Sequence, residues 1–230
     1  MVPVALLSVA LAALCSAVSV GAAATAVADV SHAASTTCEV LKALLGSKIV
    51  LPTDCRYLRL SDENWSQTTW GHPSCIAVPS CAEDISVVID AAVVANVPFA
   101  IRSGGHSPNP LDANINTGIL IAMDNFSQTT YDETTGLATI GMGSRWDAVY
   151  TALDQHNLTV VGGRVMDVGV GGLTLGGGLS YLSDLYGLVC DNVVSYEVHF
   201  ARVSSANHVS VLTKPIPGGI GGWENRPGQR

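Results

Sequence analysis

Charge is scarce along this chain, and positive charge is scarcer still. Only 13% of its residues are charged, and 11 Lys and Arg stand against 19 Asp and Glu, giving a formal net charge of -8. No basic run occurs, so the clustered cations that a phosphate backbone requires are missing, and nucleic acid is not an expected partner. Cys-x-x-Cys pairs are absent, and no His lies at ligand spacing from a cysteine, so no metal site is expected. The Gly-x-Ser-x-Gly elbow of serine hydrolases is missing. So is the Gly-Lys-Ser/Thr ending of a nucleotide phosphate loop. No internal repeat is found. What the chain has in quantity is apolar residues, 48% of 230. That is too many for a disordered chain and enough for one good core or two small ones.

The first Lys is Lys42. Before it, Val4 to Leu14 reads as the apolar region of a signal peptide, and Ala22, Ala23 and Ala24 offer a cleavage site, so residues 1–24 are expected to be removed. An uncleaved membrane anchor is the alternative, disfavoured by the Ala, Gly and Ser content. The mature protein is therefore expected to be extracellular, with no membrane partner. Three sequons, at Asn64, Asn125 and Asn157, agree with secretion. Five cysteines follow the leader. Cys38 with Cys55, and Cys75 with Cys81, are the expected disulfides, which leaves Cys190 over.

A short helix is expected from Cys38 to Leu45, in an N-terminal segment 38–70, followed by an irregular stretch from Asp62 to Gly71. Ser80 and Glu83 form a capping box. Ile85, Val88, Ile89, Ala92 and Val93 recur behind it at helical spacing, and Asn96 suits a left-handed end. Strands are expected at 98–102, 119–123, 137–142 and 191–198, with extended chain at 159–161. A helix capped by Ser144 should run to Leu153, and helical character should resume over 179–186. Trp65, Trp70 and Trp146 read as packing residues rather than cofactor stackers. From His199 to Arg230 periodicity disappears and Pro and Gly crowd in, which reads as a disordered tail.

Two glycine-rich stretches carry the functional signal. Arg102-Ser103-Gly104-Gly105-His106-Ser107 leaves a strand, and its glycines would let backbone N–H groups turn toward an anion. A plain turn bearing a surface histidine is an equal reading. Val168-Gly169-Val170-Gly171-Gly172-Leu173-Thr174-Leu175-Gly176-Gly177-Gly178 fails the dinucleotide fingerprint, because Thr174 stands where the third glycine belongs. It is either a glycine surface laid against a flat ligand or a set of turns.

These two stretches, followed by Tyr186-Gly187-Leu188-Val189-Cys190-Asp191-Asn192-Val193, resemble the vanillyl-alcohol oxidase and p-cresol methylhydroxylase superfamily, and within it the berberine-bridge-enzyme-like fungal oxidases. The resemblance covers about Cys38 to Val198. It implies an α+β, two-lobed FAD-binding domain over 71–198, with the second lobe incomplete. It implies FAD attached at its 8α-methyl group by His106, through attack of a neutral imidazole nitrogen on the electrophilic methide tautomer of the flavin. Arg102 through Ser107 would follow the pyrophosphate. Gly169, Gly171, Gly172, Thr174, Gly177, Gly178 and Leu179 would line the other side. Relatives with a second, cysteinyl link carry it at the position of Val165, so only the histidyl bond is expected.

The implied reaction is hydride transfer from an alcohol, sugar or amine to flavin, then reoxidation, in this family often by dioxygen, with the electron acceptor of this chain left open. The substrate and the catalytic base stay unassigned. The chain is expected to be the N-terminal part of a longer oxidase, and the loss of family pattern after Val198 reads as an unspliced intron or a shifted frame. A non-catalytic FAD-binding fragment and a secreted structural protein are the alternatives.

Overall fold

The computed structural model describes residues 29–198, 210–213 and 215–217. The expected leader at 1–24 lies outside them, as do 199–209, 214 and 218–230 of the expected tail.

Helix α1 covers 29–45, longer than the Cys38–Leu45 expectation. Ala34, Cys38 and Leu41 recur along one face and are buried, as an amphipathic helix requires. That face packs on a four-stranded sheet ordered β1 (Ile49–Val50), β2 (Cys75–Ala77), β4 (Ile119–Ala122), β3 (Phe99–Arg102). β2, β4 and β3 are mutually parallel. β4 is central, and its Ile-Leu-Ile-Ala run is buried at every position, which is what a parallel strand covered on both faces demands.

Cys38 on α1 faces Cys75 on β2, and the two form a disulfide. This corrects the expected pairs. Cys55 lies exposed in the turn before α2 (Tyr57–Ser61), and Cys81 sits at the start of the next helix, both as free thiols. Closeness in sequence did not decide the pairing. The inward faces of α1 and β2 did.

Helix α3 (Ala82–Val94) buries Ile85, Val88 and Ala92 against the same sheet, and Asn96 ends it at φ 52° as expected. Its cap falls one residue later than the Ser80–Glu83 reading. Cys81 is the N-cap, and Asp84 is the side chain that reaches back. The Asp84 carboxylate accepts from the N–H groups of Ser80 (2.8 Å) and Cys81 (3.2 Å) and pairs with Lys48 at 2.6 Å. Burial pushes its pKa up, but the Lys48 ammonium and the Ser80 and Cys81 donors outweigh burial and hold it at about 2. Lys48 comes from the turn before β1, so this contact was invisible to local spacing.

The second lobe is an antiparallel sheet ordered β5 (Thr129–Asp132), β6 (Leu137–Gly141), β9 (Ser210–Thr213), β8 (Val193–Tyr196). β9 lies inside the stretch expected to be a disordered tail, and it pairs with β6 on one side and β8 on the other. Ser-Val-Leu-Thr is too short, among so many Pro and Gly, for its alternation to register. β10 (Ile216–Pro217) likewise pairs with β7 (Leu158–Thr159).

Helix α4 (Trp146–Asp154) lays Trp146, Val149, Tyr150 and Leu153 in the core of this lobe with Ala138 and Ile140. Its N-cap is Arg145, not Ser144, whose Oγ is buried without a hydrogen-bond partner. A Cβ on Gly162 or Gly163 would come within 2.5 Å of the Trp146 ring, so part of the glycine density serves to seat that indole. α5 (Val170–Leu175) forms inside the glycine run, and α6 (Ser183–Tyr186) is shorter than expected. Of the three sequons, Asn64 is buried, with its Nδ2 donating to the Ala113 carbonyl. Asn125 and Asn157 are exposed.

Candidate functional site: a glycine-floored cleft between the lobes

The two glycine loops meet. Ser103-Gly104-Gly105-His106 leaves the C-terminal end of β3, and Gly169 precedes α5 as its N-cap. A Cβ on Gly104 would lie 2.4 Å from the Gly169 nitrogen, and one on Gly169 would lie 2.3 Å from the Gly104 nitrogen. No side chain fits at either position, so the backbones touch directly. Ser103 fastens the crossing: its Oγ donates to the Met142 carbonyl (2.5 Å) and accepts from the Gly171 N–H (3.2 Å). One hydroxyl therefore ties β3, the chain after β6 and α5 together.

Above this crossing lies a cleft of about 970 Å³, at the upper end of the range for small-molecule and cofactor sites. Ile101 and Met123 wall it from the first lobe, and Met142, Val168 and Leu173 from the second. Ser103, Gly104, Gly105, His106 and Ser107 all line it, as do Gly169, Gly171 and Gly172. A Cβ on Gly172 would meet nothing within 4 Å, so that backbone is open.

Other expected site residues lie elsewhere. The Arg102 side chain is 1% exposed and turned into the first lobe. Its guanidinium donates to the Leu60 carbonyl and, at 3.1 Å, to Glu63. The side chain is an internal brace, and burial lowers its pKa against the opposing pull of Asp124 and Glu63. Thr174 is buried with its Oγ1 unpartnered, and Leu179 is exposed away from the cleft. Gly177 and Gly178 take φ of +94° and +79°. A Cβ on Gly178 would strike Leu173 and Val189 within 2.8 Å. In this half of the loop Leu175 reaches the cleft lining, while Gly178 is closely packed by its neighbours. Val165 is exposed and absent from the lining. Asp167 pairs with Arg145 at 3.1 Å. Ser107 donates to Asp112 at 2.7 Å, and this bond, with one from Asn109, lowers the Asp112 pKa.

His106 is half-buried and stacks on Trp65, with centroids 5.1 Å apart and planes 17° from parallel. Trp65 had read as a packing residue only. No local pattern marks it, because the contact joins an irregular segment to a loop that follows a distant strand.

A largely apolar cleft with a bare backbone floor and one imidazole at its wall fits a flat, extended cofactor. Among the described residues, no group of three His, Cys, Asp or Glu side chains could hold a metal ion.

Comparison with known proteins agrees with this geometry. The family model described as "FAD binding domain" matches residues 73–202, or 130 of 230. An FAD-dependent monooxygenase, tpcD, of Cochliobolus heterostrophus is 47% identical over 139 residues, which are 60% of this chain and 27% of that protein. The xylooligosaccharide oxidase of Myceliophthora thermophila C1, solved with xylobiose, superposes with a TM-score of 0.70 at 22% identity, covering 79% of this chain and 43% of that one. The BBE-like 1 protein of Physcomitrella patens superposes at 0.68 with 20% identity, over 78% and 44% of the two chains. The fold is therefore that of these two proteins. The chain spans about a third of the length of the curated relatives it matches.

Proposed function

Because the chain belongs to the FAD binding domain family, with FAD as its cofactor, we propose that it is the cofactor-holding part of a flavin-dependent oxidoreductase whose FAD is carried covalently by His106. The observation that carries this reading is the Gly104–Gly169 backbone contact, which sets His106 beside an open glycine surface in a single cleft.

When bound, FAD supplies hydride acceptance from a substrate carbon and reoxidation by dioxygen. The chain's own groups do the rest. Gly104 and Gly169 bring two backbones within reach of one ligand. Ser103 locks that crossing. The apolar walls from Met123, Met142 and Val168 would shield a bound ring system from water. His106 offers a nitrogen for the 8α carbon, and with valine at position 165 the attachment is single. The substrate class is an alcohol, sugar or amine. The activities for which these similar proteins are named, an FAD-dependent monooxygenase and an oligosaccharide oxidase, support an oxygen-using reaction.

Secretion belongs to the same reading. The Cys38–Cys75 disulfide supports it, since such bonds persist in oxidising compartments.

The test is to express the chain with FAD, denature it and separate it on a gel. Flavin fluorescence should stay with the protein band and vanish in His106→Ala, which should still hold FAD before denaturation. A band that loses all fluorescence on denaturation removes the covalent reading and leaves a dissociable cofactor.

A further inference from the structure

We infer that Trp65 is a positioning residue for flavin attachment, holding the His106 ring by its face so that its nitrogens remain available at the edge. The inference rests on the proposed histidyl link and goes beyond it.

His106 follows two glycines, and Gly105 has φ +62°. Alone, such a loop would let the imidazole swing widely. Two contacts stop it, both from the segment 63–65. The Trp65 N–H donates to the Gly105 carbonyl at 3.0 Å, and the Trp65 indole stacks on the imidazole at 17°. That segment is itself anchored. Glu63 pairs with the buried Arg102, and the Asn64 carbonyl accepts from the Trp70 indole N–H at 3.0 Å. The brace that holds Arg102 inside the lobe therefore also fixes the platform beneath His106.

Stacking orients a ring without using its polar atoms. Among the described residues, neither His106 nitrogen has a hydrogen-bond partner, and Trp65 is the ring's one aromatic neighbour. That suits a nucleophile. Attachment joins one imidazole nitrogen to the 8α carbon. The imidazole proton and one methyl hydrogen are lost, and the two electrons released pass to dioxygen, giving hydrogen peroxide. A hydrogen bond to both nitrogens would hold the ring as firmly but would occupy the lone pair the bond requires. Trp65 is also 61% exposed. So large an indole on the surface, laid flat on one histidine, adds little to the core.

The test follows flavinylation with time by peptide mass spectrometry of the full chain incubated with FAD and oxygen, comparing wild type with Trp65→Phe, Trp65→Leu and Trp65→Ala. Melting temperature and non-covalent FAD affinity are measured alongside. Attachment should slow roughly three- to tenfold in the Leu and Ala variants, from the loss of a stacking contact of ordinary strength. Phe should restore most of the rate, with melting and FAD affinity near wild type throughout. If wild type attaches FAD and Leu or Ala does so equally fast, the positioning role is overturned while the histidyl link stands. If the Ala variant binds no FAD, the Phe–Leu pair decides, and equal rates in those two overturn the proposal. If wild type never modifies His106, the proposed function itself fails, and this inference with it.

Discussion

Two glycines hold the site together by having nothing to offer sterically. Gly104 and Gly169 each occupy the space a methyl group would need on the other, and the obstructing atoms are backbone, which cannot rotate aside. Gly104→Ala should therefore destabilise the protein by about 1–3 kcal/mol, the ordinary cost of overpacking, and should lower FAD content out of proportion to the loss of folded protein. Denaturant titration and flavin absorbance of the soluble fraction check both. Gly172→Ala is the contrast, since its Cβ would point into open space: near-wild-type stability is expected. At this scale the sequence was half legible. The stretch from Arg102 to Ser107 stood out as a loop, and five of its six residues line the cleft. Arg102 misled because a cation beside a glycine loop reads as an anion donor, whereas here it is used inward, on Leu60 and Glu63. Trp65 was missed because stacking across the fold leaves no spacing to detect.

The elements carry their own tests. Helix α3 is capped by Asp84, whose carboxyl sits at about 2 against an ordinary 3.8. A depressed folded-state pKa adds stability that is fully present above about pH 4 and is lost as pH falls toward 2. Asp84→Ala should cost about 1 kcal/mol at neutral pH, the usual value of a cap, and the gap from wild type should close across that acid window in melting experiments. Helix α1 is pinned to β2 by Cys38–Cys75, closing a loop with sequence separation 37. Chain entropy assigns such a crosslink about 4 kcal/mol. The Cys38→Ala/Cys75→Ala double variant should melt well below wild type, and reductant should lower the wild-type midpoint while leaving the variant unmoved. Helices α3 and α4 and strands β3, β4 and β6 were legible, because each has enough periodic residues to show its period. The cap and the disulfide were not, since both depend on which face of a distant element lies opposite. Nor was β9, four residues whose strand character comes from β6 and β8 on either side.

As a whole, the described residues form two lobes, and the cleft lies where they meet. A mostly parallel sheet under α1 and α3 delivers His106 from the end of β3, and an antiparallel sheet with α4 delivers Gly169 and Gly171 at the start of α5. Neither lobe alone has both walls of the cleft, which explains why glycine is spent at the crossing and in seating Trp146. The two-lobed α+β architecture was readable from three motifs in order; the inward turn of the loop's second half was not, because Gly177 and Gly178 look the same in sequence whether they face a ligand or a neighbouring side chain. The account turns on one bond. Peptide mass spectrometry of the full chain, expressed with FAD and digested, tests it directly: the peptide containing His106 should carry flavin, and the His106→Ala protein should carry it nowhere. Unmodified His106 in soluble, folded, FAD-loaded protein would contradict the covalent assignment and leave the cleft as a dissociable FAD site.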